Sequence, residues 1–239
     1  TAVEIPLHAS AQDDDVVTKI YKMVGTFTGQ DQTLQWTYAN GVHVSRMLVF
    51  SGRYYVASTV DVQSDDGTNT PVVELAVACT DLATHGGKLY ATCGSTVREA
   101  TASLTWSTIH TFTGTAVAVA SFGSLLAVAV ENGSAHEVWF WDGAASWTSS
   151  TIVTSATLHT NCLLMFNTFL YAGLGSKPTG TVAPLYTYNG SWHLNHDFYG
   201  EDGRDNEEVL CLYTDGVDIV VGVGSGTISV GGSAYGTLL

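Results

Sequence analysis

The chain has 239 residues, a formal net charge of −14, only 13% charged side chains and 25 glycines. With four lysines and four arginines it has no basic patch to neutralise phosphates, which argues against nucleic acid and an anionic membrane surface as partners. No run of about 18 apolar residues occurs, so no membrane-spanning helix is expected.

Residues 1–40 are the least regular part of the chain. Val16–Val24 fits a helical stripe through Val17, Ile20, Tyr21 and Val24, but its β-branched residues favour a strand. Thr33-Leu34-Gln35-Trp36 reads as a strand as well. Residues 44–74 follow with an acidic, turn-rich loop at Gln63–Thr70. Thr92–Ser95 is a very short loop, and Glu131–His136 is its counterpart further on. In 160–192, Asn161–Phe166 and Phe169–Ala172 are strands, the second closed by Gly173 and Gly175. Pro184–Tyr188 is a third strand. Asn189-Gly190 then forms a two-residue hairpin turn, both residues tolerating positive φ, before Trp192 opens a fourth. Four short antiparallel strands on about 40–45 residues make one propeller blade.

Copies of this unit recur. A small residue, any residue, a Leu/Tyr pair and then Ala or Val marks the second strand, ending at Val56, Ala91, Ala127 and Ala172, with a weak copy ending at Val221; the intervals are 35, 36, 45 and 49. Trp36, Trp106, Trp147 and Trp192 mark the fourth strand, intervals of 70, 41 and 45, so one blade between Trp36 and Trp106 lacks its Trp. The third-to-fourth hairpin shows at Asp142-Gly143, Asn189-Gly190 and Gly231-Gly232. The expected fold is therefore all-β: a single β-propeller domain over 1–239, with six four-stranded blades or, as the alternative, five. Residues 1–40 form an irregular first blade, and the repeats lie at about 41–74, 75–112, 113–154, 155–200 and 205–239. The chain lacks an initiator Met and a signal-peptide pattern, so a processed chain or part of a longer one is expected.

The strings LYAGLG at 170–175, LYTYNGSW at 185–192 and VWFWDGAASW at 138–147 resemble kelch-like propeller repeats, such as occur in bacterial surface and phage tail proteins. The resemblance covers roughly 44–239. The kelch Gly pair is present once, as Gly86-Gly87, and the Asp-box of sialidase-like propellers is absent. The resemblance implies a binding or structural propeller, glycan-facing and part of a virion or cell-surface assembly.

In a propeller the loops joining second to third strands, and blade to blade, gather on one face that carries ligands. Here that face is expected to collect Asp65, Asp66, Glu131, Asn132, His136, Lys177 and the polar connection His193–Glu208. The candidate ligand-binding residues are Asp197, Tyr199, Glu201, Asp202, Arg204, Asp205, Glu131 and Asn132, with Trp141 as an aromatic platform. The plain reading of the 193–208 acidic stretch is a solvated loop. Its oxygen ligands would also suit calcium, although the spacing is not that of an EF-hand. His193 and His196, three apart on a strand, are expected on opposite faces, which argues against a shared metal. His85 is expected in a turn facing solvent. Trp139, Trp141, Tyr186 and Tyr188 alternate on third strands, where they serve either inter-blade packing or sugar stacking. Asn132-Gly-Ser and Asn189-Gly-Ser are glycosylation sequons and equally tight turns.

Four buried free thiols are the expectation for Cys79, Cys93, Cys162 and Cys211; a Cys79–Cys93 bridge across a hairpin is the alternative. No catalytic or cofactor motif is present, and no cofactor is expected beyond the calcium alternative. The expected function is non-enzymatic: recognition of a surface glycan or receptor protein, or assembly with other chains of a fibre or virion tail, outside the cell or on a virion surface. A glycan-cleaving hydrolase using loop carboxylates and a purely architectural propeller are the alternatives.

Overall fold

The computed structural model describes residues 19–24, 31–37, 42–66, 71–101, 105–144, 146–176, 182–198, 208–214, 216–224 and 237–238. Every regular element among them is a β-strand, and the chain divides into two compact units, Thr1–Cys79 and Thr80–Leu239.

In the first unit β1 (Lys19–Val24) and β2 (Asp31–Thr37) pair as an antiparallel hairpin, so the ambiguous stretch is strand from Lys19 to Val24, and 16–18 lie outside the described residues. A four-stranded blade follows: β3 (Val44–Phe50), β4 (Arg53–Ser58), β5 (Val62–Asp65) and β6 (Val72–Leu75), in chain order across the sheet. This blade lacks Trp, and a polar network stands in the corresponding region. Arg53 donates through Nε and Nη2 to Ser64 Oγ (3.2 and 2.9 Å), and Ser64 donates to Glu74. Burial, then the Glu74 carboxylate, pushes the neighbouring Tyr55 hydroxyl up. The acidic loop expected at 63–70 begins later than that. Gln63, Ser64 and Asp65 are strand β5, and the turn between second and third strands is Thr59–Asp61, where the Ser58 and Asp61 side chains pin one another (2.8 Å).

In the second unit the blades are β7 (Asp81–His85) to β10 (Trp106–Thr111) and β11 (Thr115–Phe122) to β14 (Trp147–Thr154), then β15 (Leu158–Phe166) to β18 (Trp192–Asp197). Between these ends lie β8 (Lys88–Cys93) and β9 (Thr96–Ala100), β12 (Leu125–Asn132) and β13 (Ala135–Trp141), β16 (Phe169–Ser176) and β17 (Pro184–Tyr188). Three more strands follow: β19 (Glu208–Thr214), β20 (Ile219–Gly224) and β21 (Thr237–Leu238), joined to β16 through Gly175↔Glu208. The first strands β7, β11, β15 and β19 lie side by side, each blade running outward to an exposed fourth strand, which is a propeller arrangement. Among the described residues there are four four-stranded blades, not six or five. Dividing 239 by a uniform period overcounted, because the N-terminal strands described are a hairpin and the C-terminal ones number three, the last of two residues.

Apolar faces between blades supply the core. On β12 Leu126, Val128 and Val130 face the second blade with Tyr90, Val97 and Phe112, while Ala127 and Ala129 face the fourth with Phe140, Leu158 and Leu163. Each fully buried large side chain contributes about 1.5–3 kcal/mol. Trp139 and Trp141 pack on the second-blade side and Tyr186 and Tyr188 on the third-to-fourth side, so these aromatics serve blade packing.

Gly173 and Gly175 do not end the second strand; β16 runs through them to Ser176. A Cβ at Gly173 would lie 2.5 Å from Val209 Cγ1 and 2.7 Å from Cys162 Sγ, so these glycines make room for the next inner strand. The turns differ from expectation too. Asn189–Ser191 is a three-residue loop with Gly190 alone at positive φ, since Tyr188 pairs with Trp192. Turns with two positive-φ residues join first to second strands instead, at Ser51-Gly52, Gly86-Gly87 and Asn167-Thr168.

Cys79 and Cys93 are disulfide-bonded, whereas Cys162 and Cys211 are thiols. The expectation of four thiols is thus corrected. In the β7–β8 hairpin Asp81 pairs with Thr92, which puts Cys93 at the end of that ladder.

Candidate functional site

The loop face of the second unit is built by a recurring local device. A β-bulge interrupts the start of the first strand at Ala116/Ala118 in β11, Thr160/Cys162 in β15 and Val209/Cys211 in β19. The first unit has the same feature at Val44/Arg46 in β3. A bulge takes backbone groups out of the ladder, and side chains satisfy those left over. Thr80 Oγ1 donates to the Ala116 carbonyl (3.1 Å), Asn161 Nδ2 to the Val209 carbonyl (3.0 Å), and in the first unit Ser45 Oγ to the Cys79 carbonyl (2.8 Å). Acidic side chains hold the backbone donors. Asp81 Oδ2 accepts from Val119 N–H (2.9 Å), Glu131 Oε1 from Thr160 N–H (2.6 Å) and Asp197 Oδ1 from Ala183 N–H (2.8 Å).

One of these clasps, Glu131 on Thr160, joins the third blade to the fourth, and further polar contacts gather around it. His136, only 1% exposed, donates Nε2–H to the Ser155 carbonyl (3.1 Å). Its Nδ1 accepts the Thr160 hydroxyl (3.3 Å) and lies 3.9 Å from Glu131 Oε1. The adjacent His159 faces the other way, its Nε2 3.2 Å from Glu208 Oε1 on β19. Exposed on the same face are Ser95, Thr113, Asn132, Ser134 and Thr157, with Asn132 Nδ2 donating to Thr113 Oγ1 (3.2 Å).

The structure separates some of the sequence candidates. Glu131, Asn132 and Asp197 end at this face. Trp141 lies at the far end of β13, about 20 Å away along a seven-residue strand, stacked on Trp147 (5.5 Å). Asp65 is buried in β5 and Asp66 stands 4.0 Å from Arg53, at the end of the first-unit blade away from its Thr59–Asp61 turn. Tyr199, Glu201, Asp202, Arg204, Asp205 and Lys177 lie outside the described residues. His85 closes β7 and meets Ser121 Oγ (2.9 Å) in place of a free turn position. His193 and His196 lie on one face, because the bulge in β18 pairs them with Thr187 and Leu185, two residues apart. Among the described residues no group of three acidic, His or Cys side chains is placed to hold a metal ion. Sequence reasoning missed Asp81, Thr160, His159 and Asn161. The only signal for them was a polar residue near the start of each first strand.

Burial lowers the proton affinity of His110, which stacks on Trp147 (4.9 Å). Burial also raises Tyr90 strongly, aided by Glu99, whose carboxylate accepts its hydroxyl proton (3.1 Å). Both groups stay neutral near pH 7 and belong to the packing between second and third blades.

No family model matches the chain, and no curated protein matches it by sequence. Solved structures do. The extracellular domain of the putative one component system BT4673 from B. thetaiotaomicron is 15% identical with a TM-score of 0.59, over 89% of this chain and 27% of that one. The chain thus spans about a quarter of the length of that protein. A chain of a nidogen/laminin complex matches at 9% identity and TM-score 0.59, over 87% and 85% of the two chains. A chain of a mitotic checkpoint complex matches at 10% and 0.54, over 88% and 83%. At such identities the likeness speaks for fold alone. The chain has a β-propeller arrangement. No helix among the described residues is long and apolar enough to cross a membrane.

Proposed function

We propose that this chain is a non-enzymatic extracellular propeller that recognises a surface glycan or a receptor protein on its loop face. The observation that carries the reading is the use made of the carboxylates among the described residues of that face. Asp81, Glu131 and Asp197 each accept a backbone N–H, and Glu208 faces His159. A glycan-cleaving pair needs two carboxylates across the sugar, and these are committed to holding strands. What they leave outward is a rigid surface of Ser, Thr and Asn groups, suited to hydrogen-bonded recognition. The Cys79 and Cys93 disulfide bonding suits an oxidising compartment, and one solved neighbour is an extracellular domain.

A place in a fibre or virion tail is the second reading. It is favoured by five exposed valines between residues 49 and 77: Val49, Val60, Val72, Val73 and Val77. The test is a glycan array of the purified chain with and without calcium, beside cross-linking that reports self-association. Saturable binding weakened by Asn132→Ala and untouched by Trp141→Ala supports recognition at the loop face. Sugar hydrolysis, or binding that Trp141→Ala alone removes, overturns it. Array silence with self-association moves the assignment to the assembly reading.

A further inference from the structure

Two buried N–H donors on the second blade have no acceptor among the described residues: Arg98 Nε on β9 and Trp106 Nε1 on β10. A buried donor without a partner is destabilising, and folded chains rarely keep one without a use. The strand register puts both on one side of the sheet. Arg98 pairs with Ala91 and Thr108, and Trp106 pairs with Ala100, two residues on from Arg98. Trp106 is thus the diagonal neighbour of Arg98, about 7–8 Å away along the backbone and within reach of side chains this long. The opposite side of the same strands carries Tyr90 and Val97, packed on the third blade, and Glu99, which takes Lys88 Nζ (2.8 Å) and the Tyr90 hydroxyl. Glu99 therefore does not serve Arg98. On its own side the second blade offers Arg98 only Leu82, Leu89, Ala91 and Ala100, with hydroxyls from Thr84 and Thr108. Among the described residues Arg98 has no ion pair, in a chain with 22 acidic and eight basic side chains.

We propose that Arg98 and Trp106 form a binding site for the carboxylate of a small organic acid, with Thr108 at its rim. The Nε–H of a guanidinium and one of its Nη–H groups lie parallel, at the spacing of the two oxygens of a carboxylate. The indole N–H only donates, and a carboxylate oxygen has a further lone pair to receive it. Thr108 is exposed and adds a hydroxyl donor. Arg98 and Trp106 are half-buried, so a ligand can approach from solvent while its charged end is partly desolvated. The net charge of −14 repels anions in proportion to their charge, which favours a singly charged carboxylate over a phosphate ester. The site lies mid-strand on the flank of the blade, apart from the loop face, and stands whether or not that face takes a ligand.

The test follows the Trp106 indole N–H signal in ¹H–¹⁵N spectra of the whole labelled chain, the signal being identified by its loss in Trp106→Phe. Sodium glucuronate is titrated at constant ionic strength, with glucose, sodium chloride and inorganic phosphate as controls. Glucuronate should shift the signal saturably, with a midpoint of about 1–10 mM, as expected for one charged group held by a few hydrogen bonds. Glucose, which has the ring without the carboxylate, should leave the signal in place. Arg98→Lys, which keeps the charge and loses the fork, should raise the midpoint about tenfold, and Arg98→Gln should abolish the response. An unmoved signal, an equal shift with glucose or chloride, or a response that survives Arg98→Gln overturns the site. Phosphate binding more tightly than glucuronate overturns the assignment to a carboxylate. If Arg98→Gln does not fold, an unchanged midpoint in Arg98→Lys is equally decisive against it.

Discussion

Gly173→Ala is the sharpest test of how the blades are joined. The added methyl would sit 2.5 Å from Val209 Cγ1, 2.7 Å from Cys162 Sγ and 3.0 Å from Val209 Cβ. Carbon atoms in contact prefer about 3.5–4.0 Å, so β16 and β19 must part by about 1 Å or Val209 must leave its place. Val209 is wholly buried with Ala183, Leu185 and Phe198, so it has little freedom to move. Overpacking of this kind costs about 1–3 kcal/mol, which for a chain of this size lowers Tm by roughly 2–10 °C. Urea unfolding measures the cost. The double variant Gly173→Ala/Val209→Ala, which removes the colliding methyls, should recover about 1 kcal/mol relative to the sum of the two single effects. Additivity within about 0.3 kcal/mol would refute the close-approach argument.

Three further outcomes are expected. Thr168 sits at φ +73, a left-handed conformation costly for a β-branched residue, so Thr168→Gly should raise stability by about 1 kcal/mol in the same urea assay; a loss would refute the turn assignment. Thiol titration of the denatured chain should find two reactive groups before reduction and four after, from Cys162 and Cys211 alone and then with Cys79 and Cys93; four without reductant would remove the disulfide. Burial holds His110 below the ordinary histidine value of 6.5, so its contribution to stability is present above that value and is lost as the pH falls through its folded value. His110→Phe should therefore flatten the acid-side decline of Tm, and an unchanged decline contradicts the assignment.

The strand pattern was legible in the sequence because it is written locally. Alternation, turn residues and the second-strand marker placed β15, β16, β17 and β18 within a few residues, and the missing Trp correctly marked an atypical blade. Where the reading slipped, a longer-range cause was at work. Gly173 and Gly175 look like terminators until the approach of β19 is known. The face shared by His193 and His196 depends on a bulge that changes the parity of a strand without any residue signal. Of the candidate residues, Glu131, Asn132 and Asp197 lie at the strand ends where the sequence put them. Their partners were not found, because Glu131 and Thr160 stand 29 residues apart.

By itself, then, the sequence determined the all-β class, the blade-like repeat and the acidic net charge. Each follows from composition or from contacts within a few residues. Tertiary structure decided the number of blades, the pairing state of the cysteines, which polar groups meet at the loop face and which end of the blade Trp141 occupies. Those depend on how first strands lie beside one another and where bulges fall, and such contacts join residues tens of positions apart that no local periodicity encodes.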